Sequence, residues 1–290
     1  LSDGKILWEY KSGDVIQGAA CVFDGSVVVG SGDGILQSLN ASSGKVNWKY
    51  ETDGEILAGA NLYHSEKDQA DYVLIGSYDN FLHCVNLQTG KPKWKYETEN
   101  YVNGAAGVYK GNIYFGGCDA RIYCLDAETG KILWISTWPT EYGDLSYGTG
   151  PRSMPTIYEG KVYTLGAVGH LACHDAKTGK RLWLVNTMKD WQATRPIWGF
   201  SAAIRLWEGN LIVPLGLKDG GTLVAVDLKT GKKYALKMCK HSFYFYPWNA
   251  DPLNLFKPIY EKWRIIKKLM GLKPKKYENN TPKDGVIDRI

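Results

Sequence analysis

Residues 123–134 read Tyr-Cys-Leu-Asp-Ala-Glu-Thr-Gly-Lys-Ile-Leu-Trp, and a Gly-Lys followed three residues on by Trp recurs along the chain. The copies are DGKILW at 3–8, SGKVNW at 43–48, TGKPKW at 89–94, TGKILW at 129–134 and TGKRLW at 178–183. A sixth, TGKKYA at 230–235, lacks the Trp. Trp8, Trp48, Trp94, Trp134 and Trp183 are spaced by 40, 46, 40 and 49 residues, and about 52 more lead to Tyr234 or Ala235. A period of this length with this content means one four-stranded sheet per repeat. The expected fold is all-β: a β-propeller of four-stranded blades over 1–237, with about five recognisable repeats, room for an incomplete sixth, and a helical C-terminal tail.

Each unit reads in one order. A segment of small residues comes first (Gly18-Ala19-Ala20, Ala58-Gly59-Ala60, Gly104-Ala105-Ala106, Ala202-Ala203) and is expected to be the strand nearest the axis, where large side chains do not fit. An apolar strand follows (SVVVGS 26–31, YVLIGS 72–77, IYFGG 113–117, VYTLGA 162–167, LIVPLG 211–216). Next comes a turn at Asp33-Gly34, Asp79-Asn80, Asp119-Ala120, Val168-Gly169 or Asp219-Gly220, read as a two-residue hairpin connection with positive backbone angles. The unit closes with an alternating strand and the outer strand, whose Trp is expected to wedge between neighbouring blades, burying about 200 Å².

Composition agrees. Gly makes up 33 of 290 residues, above the usual share of about 7%, and lies among 19 Tyr and 11 Trp, which favours short strands and tight turns. The 44% hydrophobic content excludes a disordered chain. No run approaches the roughly 20 apolar residues of a membrane-spanning helix. The opening LSDGKILWEY does not read as a secretion signal, and a chain numbered from Leu1 leaves room for an upstream segment. The net charge of +5 sits at one end: residues 250–290 carry ten Lys/Arg and five acids, leaving 25 of each sign for the rest. A neutral body lacks the electrostatic footprint of a nucleic-acid binder, so no nucleic-acid partner is expected.

The 123–134 pattern and its relatives resemble the repeat of PQQ-type, quinoprotein-like β-propellers. The stretch from Tyr147 to Lys232, with GTGPRSMPTIYEGKVYTLGAVGHLACHDAKTGKRLW and WGFSAAIRLWEGNLIVPLG, is similar to the noncatalytic bacterial members labelled BamB-like. That resemblance implies a protein-interaction scaffold outside the cytoplasm, in the periplasm or cell envelope, with no cofactor and an unidentified protein partner. It implies one rival, a PQQ- and Ca²⁺-dependent oxidoreductase; the aromatic residues of the long loops add another, a sensor of small ligands or carbohydrates. Enzymes of the family carry adjacent cysteines above the cofactor, and this sequence has no Cys-Cys pair. Family members usually have six to eight blades, so five is a departure. Either Gly4–Tyr10 serves as the outer strand of the fifth blade, or HSFYFYPW at 241–248 starts a sixth, or a partner completes the ring.

No catalytic or metal-binding residues are singled out. Asp33, Asp79 and Asp119 recur in turns, where a structural role suffices. Of the six cysteines (Cys21, Cys84, Cys118, Cys124, Cys173, Cys239), Cys84, Cys124 and Cys173 share a slot with Ser38 and Ala225, which calls for a small residue. Cys118 and Cys124 flank one hairpin and are the pair worth testing as a disulfide. With no CxxC, zinc is not expected. His64, His83, His170, His174 and His241 form no ligand set by spacing; on a strand, His170 and His174 do not share a face as they would on a helix.

The two long intervals place extra residues between the Trp strand and the next inner strand, as STWPTEYGDLSYGTGPRS (136–153) and VNTMKDWQATRPIWGF (185–200). In a propeller both lie on one face, bringing Trp138, Tyr142, Tyr147, Arg152, Trp191, Arg195 and Trp198 toward a common surface. Aromatic and Arg side chains build interface hot spots, and they also cap the cores of irregular loops; both readings stand. Residues 238–256 read as an irregular aromatic and Pro connection, 257–272 as a basic amphipathic helix that either packs on the propeller or meets a membrane surface or partner, and 273–290 as an extended end.

Overall fold

A computed structural model describes residues 4–138, 140, 143, 145, 150–218 and 223–234. Tyr142, Tyr147, Asp219-Gly220, Cys239, His241 and the three C-terminal segments lie outside the described residues. The repeats fold as five four-stranded antiparallel sheets. The first holds β1 (Cys21–Phe23), β2 (Ser26–Gly30), β3 (Ile35–Asn40) and β4 (Val46–Glu51). The second holds β5 (Asn61–Ser65), β6 (Ala70–Gly76), β7 (Phe81–Asn86) and β8 (Pro92–Glu97). The third holds β9 (Gly107–Tyr109), β10 (Asn112–Gly117), β11 (Arg121–Asp126) and β12 (Ile132–Thr137); the fourth, β13 (Thr156–Tyr158), β14 (Lys161–Leu165), β15 (His170–Asp175) and β16 (Arg181–Asn186). A one-turn helix α1 (Thr187–Trp191) and β17 (Ala193–Thr194) follow. Then come β18 (Arg205–Trp207), β19 (Asn210–Pro214), β20 (Gly216–Leu217), β21 (Leu223–Asp227) and β22 (Lys233–Tyr234). The fifth sheet is β18-β19-β21-β22, while β20 pairs with β17.

The Trp strand is one edge of every sheet, and its indole stands directly opposite the small slot: Ser38↔Trp48, Cys84↔Trp94, Cys124↔Trp134 and Cys173↔Trp183. A β-bulge follows each slot residue in these four sheets. In the fifth sheet Ala225 faces Tyr234, so Tyr234 occupies the Trp position. Each indole reaches the next unit. Its N–H donates to a carbonyl there, from Trp48 to Leu87, Trp94 to Ala127, Trp134 to Ala176 and Trp183 to Leu228, at 2.7 to 3.1 Å. Trp8 donates likewise to Ala41 O at 2.8 Å, so residues 4–10 stand on the first sheet as the outer strand of a preceding blade would.

The Thr-Gly of the repeat makes this docking possible. The Asn40, Asn86, Asp126, Asp175 and Asp227 side chains each accept from the backbone N–H three residues on and from the hydroxyl of that same residue, Ser43, Thr89, Thr129, Thr178 or Thr230. Gly90 then has φ +69°, and a Cβ there would come 2.7 Å from the Trp48 ring. No other residue type satisfies both demands.

Three expectations are corrected. The small-residue segments do not form the first strands; they run just before β1, β5, β9 and β18. Their small size still allows close approach: Ala60 N donates to Ala19 O, and a Cβ on Gly18 would collide with the Ala58 carbonyl. The Asp turns are not paired positive-angle turns, because they run over three or four residues and only Gly34, Asn80, Ala120 and Gly169 have positive φ. The two-residue turns with both angles positive join first to second strand, at Asp24-Gly25, Lys110-Gly111, Glu159-Gly160 and Glu208-Gly209. Cys118 and Cys124 are both buried and form no disulfide with each other; Cys124 faces Tyr114 and Trp134 across its strands.

Candidate functional site

The long connections are built onto a belt of backbone hydrogen bonds. Each β2–β3-type turn and the neighbouring inter-sheet connections are tied together: Gly32 N to Val15 O, Ile56 N to Ser31 O, Tyr78 N to Glu55 O, Val102 N to Ser77 O, Cys118 N to Tyr101 O. The connections therefore lie beside the turns on one face, as expected. Glycines ending the apolar strands admit the side chains that plug this belt; a Cβ on Gly30 would strike Ile56, and one on Gly76 would strike Val102. Along the long loops the belt continues from Ala167 N to Gly150 O and from Phe200 N to Ala167 O.

The turn aspartates are consumed by this frame. In the second sheet, His83 Nε2 lies 3.0 Å from Asp79 Oδ2, both side chains nearly sealed from solvent, and the Tyr50 hydroxyl is 3.0 Å from His83 Nδ1. Burial opposes ionisation of Asp79, but its hydrogen bonds from His83 and the Phe81 N–H hold the carboxyl below the usual range. Burial and the nearby Asp79 and Asp53 charges push the Tyr50 phenol up, so it stays protonated and ties the third strand to the preceding outer strand rather than acting as a base. In the third sheet Tyr123 donates to Asp119, and in the first Tyr10 donates to Gln37 at 2.6 Å.

The fourth sheet breaks this pattern. Val168 and Ala172 replace the Asp and its partner, and Trp138, only 3% exposed, enters the seam between third and fourth sheets. It packs 5.9 Å from His174 and 6.5 Å from His170, centroid to centroid, while Trp134 covers His174 from 6.4 Å. His170 and His174 lie on one face of β15 after all, because residues four apart on a strand share a side, but that spacing is about 13 Å. Together they do not suit one ion. Among the described residues neither His174 nitrogen, nor Trp138 Nε1, nor Thr164 Oγ1 has a hydrogen-bond partner. Burial, with Arg181 adding to it, drives His174 down to about 4, so it is neutral. No group of three or more His, Cys, Asp or Glu suited to a metal occurs among the described residues.

The expected surface residues divide by role. Trp138 and Arg152 are buried, and Arg152 Nη1 donates to Trp198 O at 2.7 Å, joining the two long loops. Trp191 packs on the cluster between fourth and fifth sheets that includes Tyr163, Leu171, Phe200 and Val213. Arg195 is half-buried. Trp198 is 57% exposed, and Ile197 beside it, not singled out in the sequence, is 80% exposed. Both sit on the turn closed by Gly199 N to Pro196 O at 2.9 Å. The Pro-Ile-Trp-Gly run was the available signal: a turn sequence carrying apolar residues in its middle.

The repeat, its Trp latch and the long-loop face now meet known proteins. The family model described as outer membrane protein assembly factor BamB matches residues 1–106 and 99–237. The chain belongs to the BamB family. No curated protein matches the chain. Among solved structures, BamB from Moraxella catarrhalis is similar at 23% identity and TM-score 0.62, covering 79% of this chain and 66% of that one. A quinohemoprotein alcohol dehydrogenase from Pseudomonas putida HK5 is similar at 17% identity and TM-score 0.60, covering 79% of this chain and 42% of that one. A europium-containing methanol dehydrogenase is similar at 14% identity and TM-score 0.60, covering 79% and 52%. These likenesses carry the fold. This BamB-family chain spans less than two thirds of each of those structures, and no helix among its described residues is long and apolar enough to cross a membrane.

Proposed function

We propose that this chain is a noncatalytic scaffold of the cell envelope, outside the cytoplasm, which presents its long-loop face to a protein partner. The observation that carries this is the Pro196–Gly199 turn. It holds Ile197 and Trp198 out to solvent while hydrogen bonds from Arg152 and Phe200 fix its base. Large apolar side chains on a rigid support lose little entropy on docking, the usual character of a hot spot. Membership of a family described as an outer membrane protein assembly factor supports the same reading. Trp198→Ala should weaken partner recovery after cross-linking in the envelope at least tenfold; unchanged recovery would count against this face.

The dehydrogenase-like fold motivates a second reading, a PQQ-dependent oxidoreductase. The recurrent turn acids Asp79 and Asp119 are engaged by His83 and Tyr123, which favours the scaffold. Purified protein with PQQ and Ca²⁺ is expected to show no stoichiometric uptake by absorbance. Uptake accompanied by dye-linked oxidation of alcohols or sugars would replace the scaffold reading.

A further inference from the structure

The part of the chain that carries the exposed turn is unevenly charged. Residues 187–218 and 223–234 carry seven Lys/Arg against three acids, whereas residues 1–186 carry 16 Lys/Arg against 21 acids. Two of those acids are engaged locally: Asp190 accepts from Asn186 N at 3.0 Å, and Asp227 closes the Thr230 turn. Three lysines stand on α1 or next to it. Lys189 follows the exposed Met188 on α1, Lys233 Nζ lies 5.9 Å over the Trp191 ring, and Lys218 N bonds Gln192 O just past α1. Arg195 leads into the turn itself. Met188 of α1 and Phe200, the residue that follows the turn, both pack on Gly169, so α1 and the turn are anchored at one point.

We infer that this surface receives an acidic protein segment, one that sets an apolar anchor against Ile197 and Trp198 and carboxylates against Lys189, Lys218 and Lys233. The inference rests on the scaffold reading and specifies the partner's chemistry. Charge complementarity at a rim sets on-rate and partner choice, while the desolvated centre sets affinity. A protein groove fits the geometry better than an anionic membrane, because membrane affinity grows with the apolar area sunk into the acyl region. Here that area is the two side chains of a narrow turn, Ile197 and Trp198.

The test is site-specific photo-cross-linking of the full chain in its own host cells, with p-benzoylphenylalanine in place of Ile197 and the cross-linked peptide sequenced by mass spectrometry. The expected product is a protein segment rich in Asp and Glu. Its yield should fall at least tenfold in the Lys189→Glu/Lys218→Glu variant, whose thermal midpoint should match the parent. A neutral or basic protein segment, or a yield indifferent to charge reversal, overturns the acidic-partner inference and leaves the scaffold reading standing. Cross-links to lipid alone, or to nothing, overturn both.

Discussion

At the residue scale the fold rests on single positions where two demands coincide. Gly90, Gly130 and Gly179 combine positive φ with an indole lying on their Cα, whereas Gly111 has φ +75° with open space around it. Gly111→Ala should therefore cost only the backbone term, about 1–2 kcal/mol. Gly90→Ala must also displace Trp48 and should cost about 3 kcal/mol or more in denaturant unfolding; equal losses would show that the latch carries no weight. His174 is the second such position. Its folded value lies below the ordinary 6.5, so the unfolded chain binds the proton more readily. Its contribution is fully present above pH 6.5 and is lost as the pH falls from there toward 4, by roughly 3 kcal/mol in all. His174→Leu should flatten that part of the stability profile, and a profile unchanged by the substitution would mean the imidazole is hydrated in the folded protein.

At the element scale, neighbouring sheets are joined by apolar seams crossed by polar ties, of which the Lys93 clamp is one. Lys93 on β8 reaches Asp68 Oδ2 and Glu128 Oε2, each at 2.6 Å, and lies 4.3 Å over the Tyr72 ring, while Tyr63 and Ser65 donate to Glu128. Partial burial disfavours the Glu128 charge, but the bonds from Lys93, Tyr63 and Ser65 keep its carboxyl below the usual range. A double-mutant cycle of Lys93→Met and Glu128→Gln should give a coupling of about 1 kcal/mol, modest because both side chains keep some contact with water. Simple additivity would make the clamp decorative. These elements were also the best read from sequence: Gly-Lys-x-x-Trp placed the outer strands, and the apolar runs placed the second strands. The small-residue runs misled because close backbone approach does not require strand pairing. The Asp turns misled because a carboxylate that accepts from its own loop stabilises a longer connection than the two-residue hairpin.

At the scale of the molecule, the long loops serve packing and presentation at once. Trp191→Ala, which empties part of the seam between fourth and fifth sheets, should lower stability by about 2 kcal/mol. Trp198→Ala should change the thermal midpoint little, and a large loss from it would turn the exposed turn into a capping element. Both residues were visible in the sequence as aromatics in over-long connections; their opposite fates were not, because burial depends on which neighbouring sheet a loop crosses. Local chemistry written in consecutive residues determined the repeat, the sheet composition and the Trp latch: turn glycines, side-chain-capped turns and alternating apolar positions act within a dozen residues of one another. Tertiary structure alone decided that Trp138 is interior, that His174 lies between two indoles, and that Ile197 and Trp198 face water. Those outcomes depend on contacts between units tens of residues apart, which no periodicity within one unit encodes.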